Sequence, residues 1–254
     1  MDERFRPSGT AIVTGASSGI GRAIAETFAR DGLDVAICSR EAANVESVAE
    51  DTEEVPGRLL ALECDVRDRD SVADLVAKTI DAFGGVDVLV NNAGASFVAT
   101  FEDISPNGWE AIVETNLTGT YNCTHAAAEP LQDGGGSVVN ITSVAGVMGS
   151  PYMSHYGAAK AAVENLTRSL AAEWATADVR VNAIAPGFVA TPGLETQMGI
   201  SAADIDRERV DREIGLSQEI ADIARFLASD AASFVDGETI VAEGVPSVVE
   251  ELPT

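Results

Sequence analysis

The sequence predicts an α/β fold: a Rossmann-like, doubly wound and mainly parallel β-sheet with helices on both faces. Three observations carry that expectation. Short apolar runs alternate with longer amphipathic stretches along nearly the whole chain, the order of strand and helix that builds a parallel sheet. A glycine-rich turn follows the first run, and a strand, such a turn and a helix start together form a phosphate cradle. No linker, repeat or low-complexity stretch divides the 254 residues, so one domain over residues 1–254 is expected.

Thr10 to Thr14 reads as the first buried strand, followed by Gly15-Ala16-Ser17-Ser18-Gly19-Ile20-Gly21 and an amphipathic helix to about Arg30. Backbone N–H groups and the helix dipole there point at an anion, which makes Gly15, Ser17, Ser18, Gly19, Ile20 and Gly21 candidate cofactor-binding residues. The spacing is G-x-x-x-G-x-G and differs from the general G-x-G-x-x-G fingerprint. Asp34 to Cys38 is the second strand and ends in Ser39-Arg40. An acidic residue near this point suits a ribose 2′-hydroxyl, whereas an arginine suits a 2′-phosphate. Ser39 and Arg40 therefore favour NADP(H), and Glu41 next door keeps NAD(H) as the alternative.

Asn44 to Asp51 reads as a short helix, Leu59 to Glu63 as a third strand leaving through Asp65-Val66, and Arg69 to Phe83 as a helix with a core stripe of Val72, Leu75, Val76 and Ile80. Val86 to Val90 is a fourth strand ending in Asn91-Asn92-Ala93-Gly94. Polar turn residues at a strand's carboxyl end lie where open α/β sheets bind ligands. Ser105-Pro106 opens a long helix expected to continue through Asn116 to about Leu131. An asparagine in mid-helix is neutral to unfavourable, so Asn116 either faces solvent or has a use.

Gly134-Gly135-Gly136 turns the chain into a strand at Val138 to Ile141, which leads to Ser143, and an Ala-rich helix begins near Ser154. Tyr156 and Lys160 are four apart on that helix and share a face. A free tyrosine titrates near ~10. At an effective dielectric of ~20 a unit charge 4 Å away is worth roughly 4 kcal/mol, enough to lower that value by up to ~3 units at about 1.36 kcal/mol each. That shift would suit the phenol to general acid–base catalysis. Ser143 would donate a hydrogen bond to the same substrate oxygen. His155, about 100° around the helix from Tyr156, is expected to line the cleft or face solvent.

Val179 to Ile184 reads as a sixth strand, leaving through Pro186-Gly187-Phe188-Val189-Ala190-Thr191-Pro192. Residues 193–216 are charged and glycine-punctuated, with one helix expected near Ala202 to Ile214, and a substrate lid is placed near 188–216. Gln218 to Ala228 forms another helix and Glu238 to Val241 a last strand.

The formal charge is −25, from 41 acidic and 16 basic residues of which only Lys78 and Lys160 are lysine. Such a surface excludes a nucleic-acid partner held by basic residues. It suits concentrated salt, where the Debye length falls to about 3 Å at 1 M, and so a halophilic cytoplasm is expected. No apolar run approaches the roughly 18 residues of a membrane span, and the N-terminus lacks an apolar signal segment; a soluble, cytoplasmic protein without a membrane partner is expected. Cys38, Cys64 and Cys123 are far apart and read as buried thiols. His125 and His155 have no ligand-spaced partners, so no metal is expected.

Taken together, these motifs resemble the short-chain dehydrogenase/reductase family in its compact single-domain form, and are similar to its 3-oxoacyl-[acyl-carrier-protein] reductases. The resemblance runs over roughly residues 8 to 245. Thr14 to Gly21 matches the family's cofactor turn, Asp65 its adenine-contacting aspartate, with Val66 beside it, and Asn91-Asn92-Ala93-Gly94 its N-N-A-G element. Pro186, Gly187, Val189 and Thr191 match the loop around the nicotinamide. Asn116, Ser143, Tyr156 and Lys160 match the catalytic tetrad. The resemblance implies hydride transfer between a nicotinamide and a carbonyl or secondary alcohol. Tyr156 acts as acid, Ser143 holds the oxygen, Lys160 binds the ribose and lowers the tyrosine pKa, and Asn116 positions a water. It implies a small-molecule carbonyl or alcohol substrate, with a 3-oxoacyl thioester leading and a sugar, polyol or other alcohol as the alternative. A non-catalytic nucleotide-binding regulator ranks below both. It also implies a homodimer or homotetramer built on the two central helices. The chain departs from the pattern at Ile214 to Ile220 and after Glu243. In the lid, Arg207, Arg209 and Arg212 are outnumbered by acids, which disfavours a strongly anionic substrate.

Overall fold

A computed structural model of the chain describes residues 3–52 and 55–245. In chain order its elements are β1 (Thr10–Thr14), α1 (Gly19–Asp31), β2 (Asp34–Ser39), α2 (Ala43–Glu50), β3 (Leu59–Glu63), α3 (Arg69–Phe83) and β4 (Val88–Asn91). They continue as α4 (Pro106–Val113), α5 (Gly119–Ala126), α6 (Ala128–Gly134), β5 (Gly136–Ile141), α7 (Val144–Met148) and α8 (Ser154–Trp174). The chain then forms β6 (Val179–Pro186), β7 (Phe188–Ala190), α9 (Pro192–Met198), β8 (Ile214–Leu216), α10 (Ser217–Ala228) and β9 (Thr239–Ala242).

Seven strands form one sheet in the order β3-β2-β1-β4-β5-β6-β9, every pairing parallel. Alternate residues of each strand enter opposite layers, as the pleat requires. In β1, Ala11 and Val13 face Ile24 and Phe28 of α1 and Ile220 and Leu227 of α10. Ile12 faces Leu75 of α3, Cys123 of α5 and Leu131 of α6. All three cysteines are buried.

Local chemistry sets the element ends. Asp68 caps α3 by accepting from the N–H groups of Asp70 and Ser71, and Gly84, at φ 96°, closes it. Ser105 caps α4 ahead of Pro106, and Thr191 caps α9 ahead of Pro192.

Three expectations need correction. The long helix through Asn116 is interrupted: Glu114–Thr118 is a π-turn between α4 and α5, and α6 is a separate segment. No α-helix covers Ala202 to Ile214; only Ala202–Asp204 makes a 3-10 turn, and the helix of this region is α9, favoured by its Thr191 cap and Pro192. Ile214–Leu216 instead pairs in parallel with Phe188–Ala190 as a two-stranded sheet. The short helix α7 was not anticipated. Of the sequence departure after Glu243, the residues beyond Val245 lie outside the described residues.

A buried polar network fastens the middle of the sheet to its helices. Asn91 Nδ2 donates to Thr124 Oγ1 of α5 and to Asn140 Oδ1 of β5, both at 2.9 Å, and Asn140 Nδ2 donates to Thr167 Oγ1 of α8 at 2.9 Å. Removing one member strands buried partners, each costing about 1–3 kcal/mol. Asn140→Ala is therefore expected to lower unfolding free energy by about 2–3 kcal/mol, read from the denaturant midpoint at constant slope.

Candidate active site

The sheet order reverses between β1 and β4, where their carboxyl ends part and an open α/β sheet offers its crevice. The two edges of that crevice are fastened to each other. Thr14 Oγ1 accepts the N–H groups of Asn92 and Ala93, each at 3.0 Å, and Asn92 Nδ2 donates to the carbonyls of Thr14 and Gly15 at 2.9 Å. The fit is close enough to require glycine. A Cβ at Gly21 would stand 2.4 Å from Asn92 Nδ2, and one at Gly15, where φ is +64°, would stand 2.8 Å from Ala93 Cα. Ser18 precedes α1 in an extended conformation and makes no side-chain cap. The first-turn N–H groups of α1 are thus presented to an anion.

One continuous cleft runs over this point. Its first half is lined by Gly15, Ser17, Ser18, Ser39, Arg40, Asp65, Val66, Asn92, Ala93 and Gly94. The second is lined by Ile20, Asn92, Gly94, Ser143, Tyr156, Lys160, Pro186, Gly187, Val189 and Thr191. Of the residues singled out from the sequence, Gly19 and Gly21 lie in the helix turn beneath, and Asn116 is buried behind the wall. Arg67, Thr142 and Leu194 were missed, and Thr14, part of the matched turn, has the added role of fastening the crevice. Arg67 ion-pairs with Asp65 at 2.6 Å and holds that carboxyl below its usual range; a basic residue two positions after Asp65 was the available signal. Among the described residues, exposed Arg40 at the end of β2 makes no close ion pair, although its charge helps to hold the Asp65 carboxyl down.

At the other end, α8 presents Tyr156 and Lys160 to the cleft. Lys160 is buried, and its Nζ donates to the Ile141 carbonyl at 2.8 Å while lying 5.6 Å from the Tyr156 ring centroid. Ser143 caps α7 by accepting from Ala145 N at 3.2 Å, which leaves its O–H free to donate. Asn116 sits in the π-turn, its Nδ2 donating to the Ala95 and Ile112 carbonyls at 2.8 and 2.9 Å. Its Oδ1 is buried without a partner. A Cβ at Gly94 would lie 2.8 Å from that oxygen and 3.6 Å from Lys160 Nζ, so both polar atoms face one small space.

The electrostatics of the chain alone differ from the sequence expectation. Burial raises the Tyr156 pKa above 10, only partly offset by a hydrogen bond with Ser143. Lys160 does not lower it, because the ammonium lies over the ring and is itself weakened, burial pushing its pKa down to about 8. His155 is also corrected. It neither lines the cleft nor meets solvent: it is fully buried, its ring 4.2 Å from that of Phe97, and neither ring nitrogen has a partner. The loop carrying Phe97 covers the start of α8.

Among the described residues no group of three or more His, Cys, Asp or Glu side chains is placed to hold a metal, and no helix is long and apolar enough to cross a membrane.

A family model described as enoyl-(acyl carrier protein) reductase matches residues 15–244. The 3-oxoacyl-[acyl-carrier-protein] reductase FabG of Thermotoga maritima is 36% identical, over 92% of this chain and 95% of its own length. The cis-4-hydroxycyclohexanecarboxylate dehydrogenase of Sinomonas cyclohexanicum is 40% identical, over 96% of this chain and 98% of its own. A crystal structure of a short-chain type dehydrogenase/reductase from Mycobacterium marinum superposes with a TM-score of 0.88 at 32% identity, covering 95% of this chain and 97% of the other.

The displaced Lys160 value makes a pH prediction. The unfolded chain keeps the Lys160 proton up to about pH 10.5 and the folded chain only to about 8, so its contribution to stability rises with pH between those values. The burial cost below pH 8 is up to roughly 3 kcal/mol, at about 1.36 kcal/mol per unit. Lys160→Met should accordingly raise the denaturation midpoint of the ligand-free protein at pH 7. That gain should fade as the pH approaches 10, in a denaturant series across that range.

Proposed function

This chain belongs to the short-chain dehydrogenase/reductase family and is an oxidoreductase acting on CH–OH groups; from that premise we propose that it interconverts a carbonyl and a secondary alcohol with NADP(H), with a 3-oxoacyl thioester as the leading substrate class. The observation that carries the reading is the meeting of Ser143, Tyr156 and Lys160 at one end of a cleft whose other end is a glycine cradle for a pyrophosphate. The relatives of the 3-oxoacyl reductase type support the thioester. The Sinomonas relative supports another alcohol as the second reading.

The residues fit a nicotinamide dinucleotide. The uncapped start of α1 with Gly15, Ser17, Gly19 and Gly21 would hold the pyrophosphate, and Asp65 and Val66 the adenine side. Lys160, Pro186, Gly187, Val189 and Thr191 would hold the nicotinamide side. When bound, the reduced cofactor supplies a hydride to the carbonyl carbon. Ser143 Oγ–H donates to the substrate oxygen and holds it in place. Tyr156 then gives its phenolic proton to that oxygen, a transfer its raised pKa does not hinder, since a carbonyl becoming an alkoxide is far more basic than a phenolate. In the alcohol-oxidising direction the phenolate is needed. There the Lys160 ammonium, weakened by burial, is strengthened by any anion or hydroxyl brought beside it. Asn116, with its unpartnered Oδ1 toward the same space as Lys160 Nζ, would link that ammonium to solvent through water.

Arg40 supports NADP over NAD. Among the described residues it lines the cleft at the end of β2 outside any close ion pair, whereas Arg67 is hydrogen-bonded to Asp65. The surface between the π-turn, α5 and α8, with Leu117, Tyr121, Ala162 and Leu166 along a shallow groove, supports assembly into a homodimer or homotetramer. The acidic composition supports a salt-rich cytoplasm.

Titration of NADPH and NADH in molar KCl tests the cofactor assignment. Tight NADPH binding is expected, and Arg40→Ser should weaken it by about ten- to a hundredfold, the weight of one charge-assisted bond at about 1.5–3 kcal/mol, with NADH binding little changed. A wild-type preference for NADH would overturn the assignment. Tyr156→Phe should bind NADPH as before yet lose turnover by about a hundredfold or more; retained turnover would remove Tyr156 from the acid–base role.

A further inference from the structure

The mouth of the cleft deepens the carbonyl-reductase reading, on which this inference rests. Among the described residues lining its substrate end, Lys160 is the sole charged side chain, and its Nζ is turned inward onto the Ile141 carbonyl. On the segments that carry the cleft-lining Ser143, Tyr156, Phe188 and Leu194, large apolar side chains stand in water. Phe188 lines the cleft itself and is 59% exposed. Met198 lies one turn beyond cleft-lining Leu194, on the same face of α9, and is 54% exposed. Met148 ends the short helix that Ser143 caps, and is 60% exposed. Tyr152, 61% exposed, holds φ at +67°, a conformation rare for a bulky residue, and its carbonyl accepts the Ala99 N–H at 2.9 Å. Single exposed apolar residues need no account, but several around one opening mark a binding surface.

The cations of the lid are all engaged. Arg207 pairs with Asp222 at 2.7 Å, Arg209 with Asp211 at 2.7 Å and Arg212 with Glu219 at 2.6 Å. A phosphate-bearing carrier would find no free guanidinium in this segment, and it would approach a protein of net charge −25. We infer that the substrate presents an uncharged, apolar body at this mouth. An uncharged ketone, or a thioester without an anionic carrier, is preferred over the same acyl group on coenzyme A or on an acidic carrier protein.

The test compares acetoacetyl-coenzyme A with S-acetoacetyl-N-acetylcysteamine, which presents the same acyl group without phosphates, at saturating NADPH from 0.2 to 2 M KCl. The uncharged thioester is expected to have the higher kcat/KM by about tenfold or more at the low-salt end, and the gap should narrow as salt screens the repulsion. Phe188→Ser should raise KM for the uncharged thioester several-fold with kcat within about twofold, a split expected for lost apolar contact rather than lost chemistry. Met198→Arg should raise kcat/KM for the coenzyme A ester. A coenzyme A ester turned over as well or better across the whole salt range would overturn the inference alone, as would an unchanged KM in Phe188→Ser. No turnover of either thioester or of an uncharged diketone with NADPH bound would overturn the reductase reading and this inference together.

Discussion

The site depends on the fastening between β1 and β4. Two parallel strands whose onward connections leave to opposite faces must part at their carboxyl ends, and the gap so formed would fill with water or collapse without a fixed spacing. Here the spacing is set by one threonine and one asparagine: Thr14 Oγ1 takes two backbone N–H groups from the β4 exit, and Asn92 Nδ2 returns to two carbonyls of the β1 exit. Because Gly15 and Gly21 carry no Cβ, the turns approach closely enough for these bonds to form. The start of α1 is thereby held toward the cleft with its N–H groups free. The anion cradle is thus a consequence of how two strand ends are pinned together.

A second constraint lies at the catalytic end. Tyr156 and Lys160 are both drawn out of water, and burial moves each toward its neutral form, the phenol up and the amine down. An arrangement of this kind is costly to a chain folding without a ligand, yet it leaves both groups responsive to charge brought into the cleft. The orphaned Asn116 Oδ1 belongs to the same pattern. The π-turn that turns this asparagine inward costs one regular helix turn between Val113 and Gly119, and π-bulges inside helices are frequent at functional sites.

Most of the fold was legible in the sequence. The strand and helix alternation needs only apolar periodicity and glycine punctuation, and β3 and α3 fall at the boundaries those signals indicate, Leu59–Glu63 and Arg69–Phe83. The cleft-facing candidates were legible through motif spacing, because the turns after β1 and β4 both carry small or amide residues at the strand exits. Other features had no local signal. The helix break at Glu114–Thr118 depends on packing around Asn116, and a Cβ at Gly119 would stand 2.6 Å from Val66 Cγ2. The burial of His155 depends on where the Phe97 loop settles. The lid was misread because the charged stretch 202–214 resembles an exposed helix, whereas its arginines bond to Asp211, Glu219 and Asp222, two of them on α10.

Departures from local rules gather around the cleft. α1, which points at the anion site, begins without a side-chain cap, whereas α7 and α9 at the other end of the cleft are capped by Ser143 and Thr191. Tyr152 keeps a left-handed backbone where glycine would be at ease, and conformations of this kind cost of order 1–3 kcal/mol. Asn116 leaves a buried acceptor unpaired, and Lys160 carries an ammonium where a methyl group would be more stable. A molecule in the cleft can answer several of these departures, an anion at the N–H groups of α1 and a polar atom near Asn116 and Lys160. At the reacting end one contact can serve two groups, because Asn116 Oδ1 and Lys160 Nζ face the same small space, so a polar atom placed there bears directly on the group that holds the proton beside Tyr156.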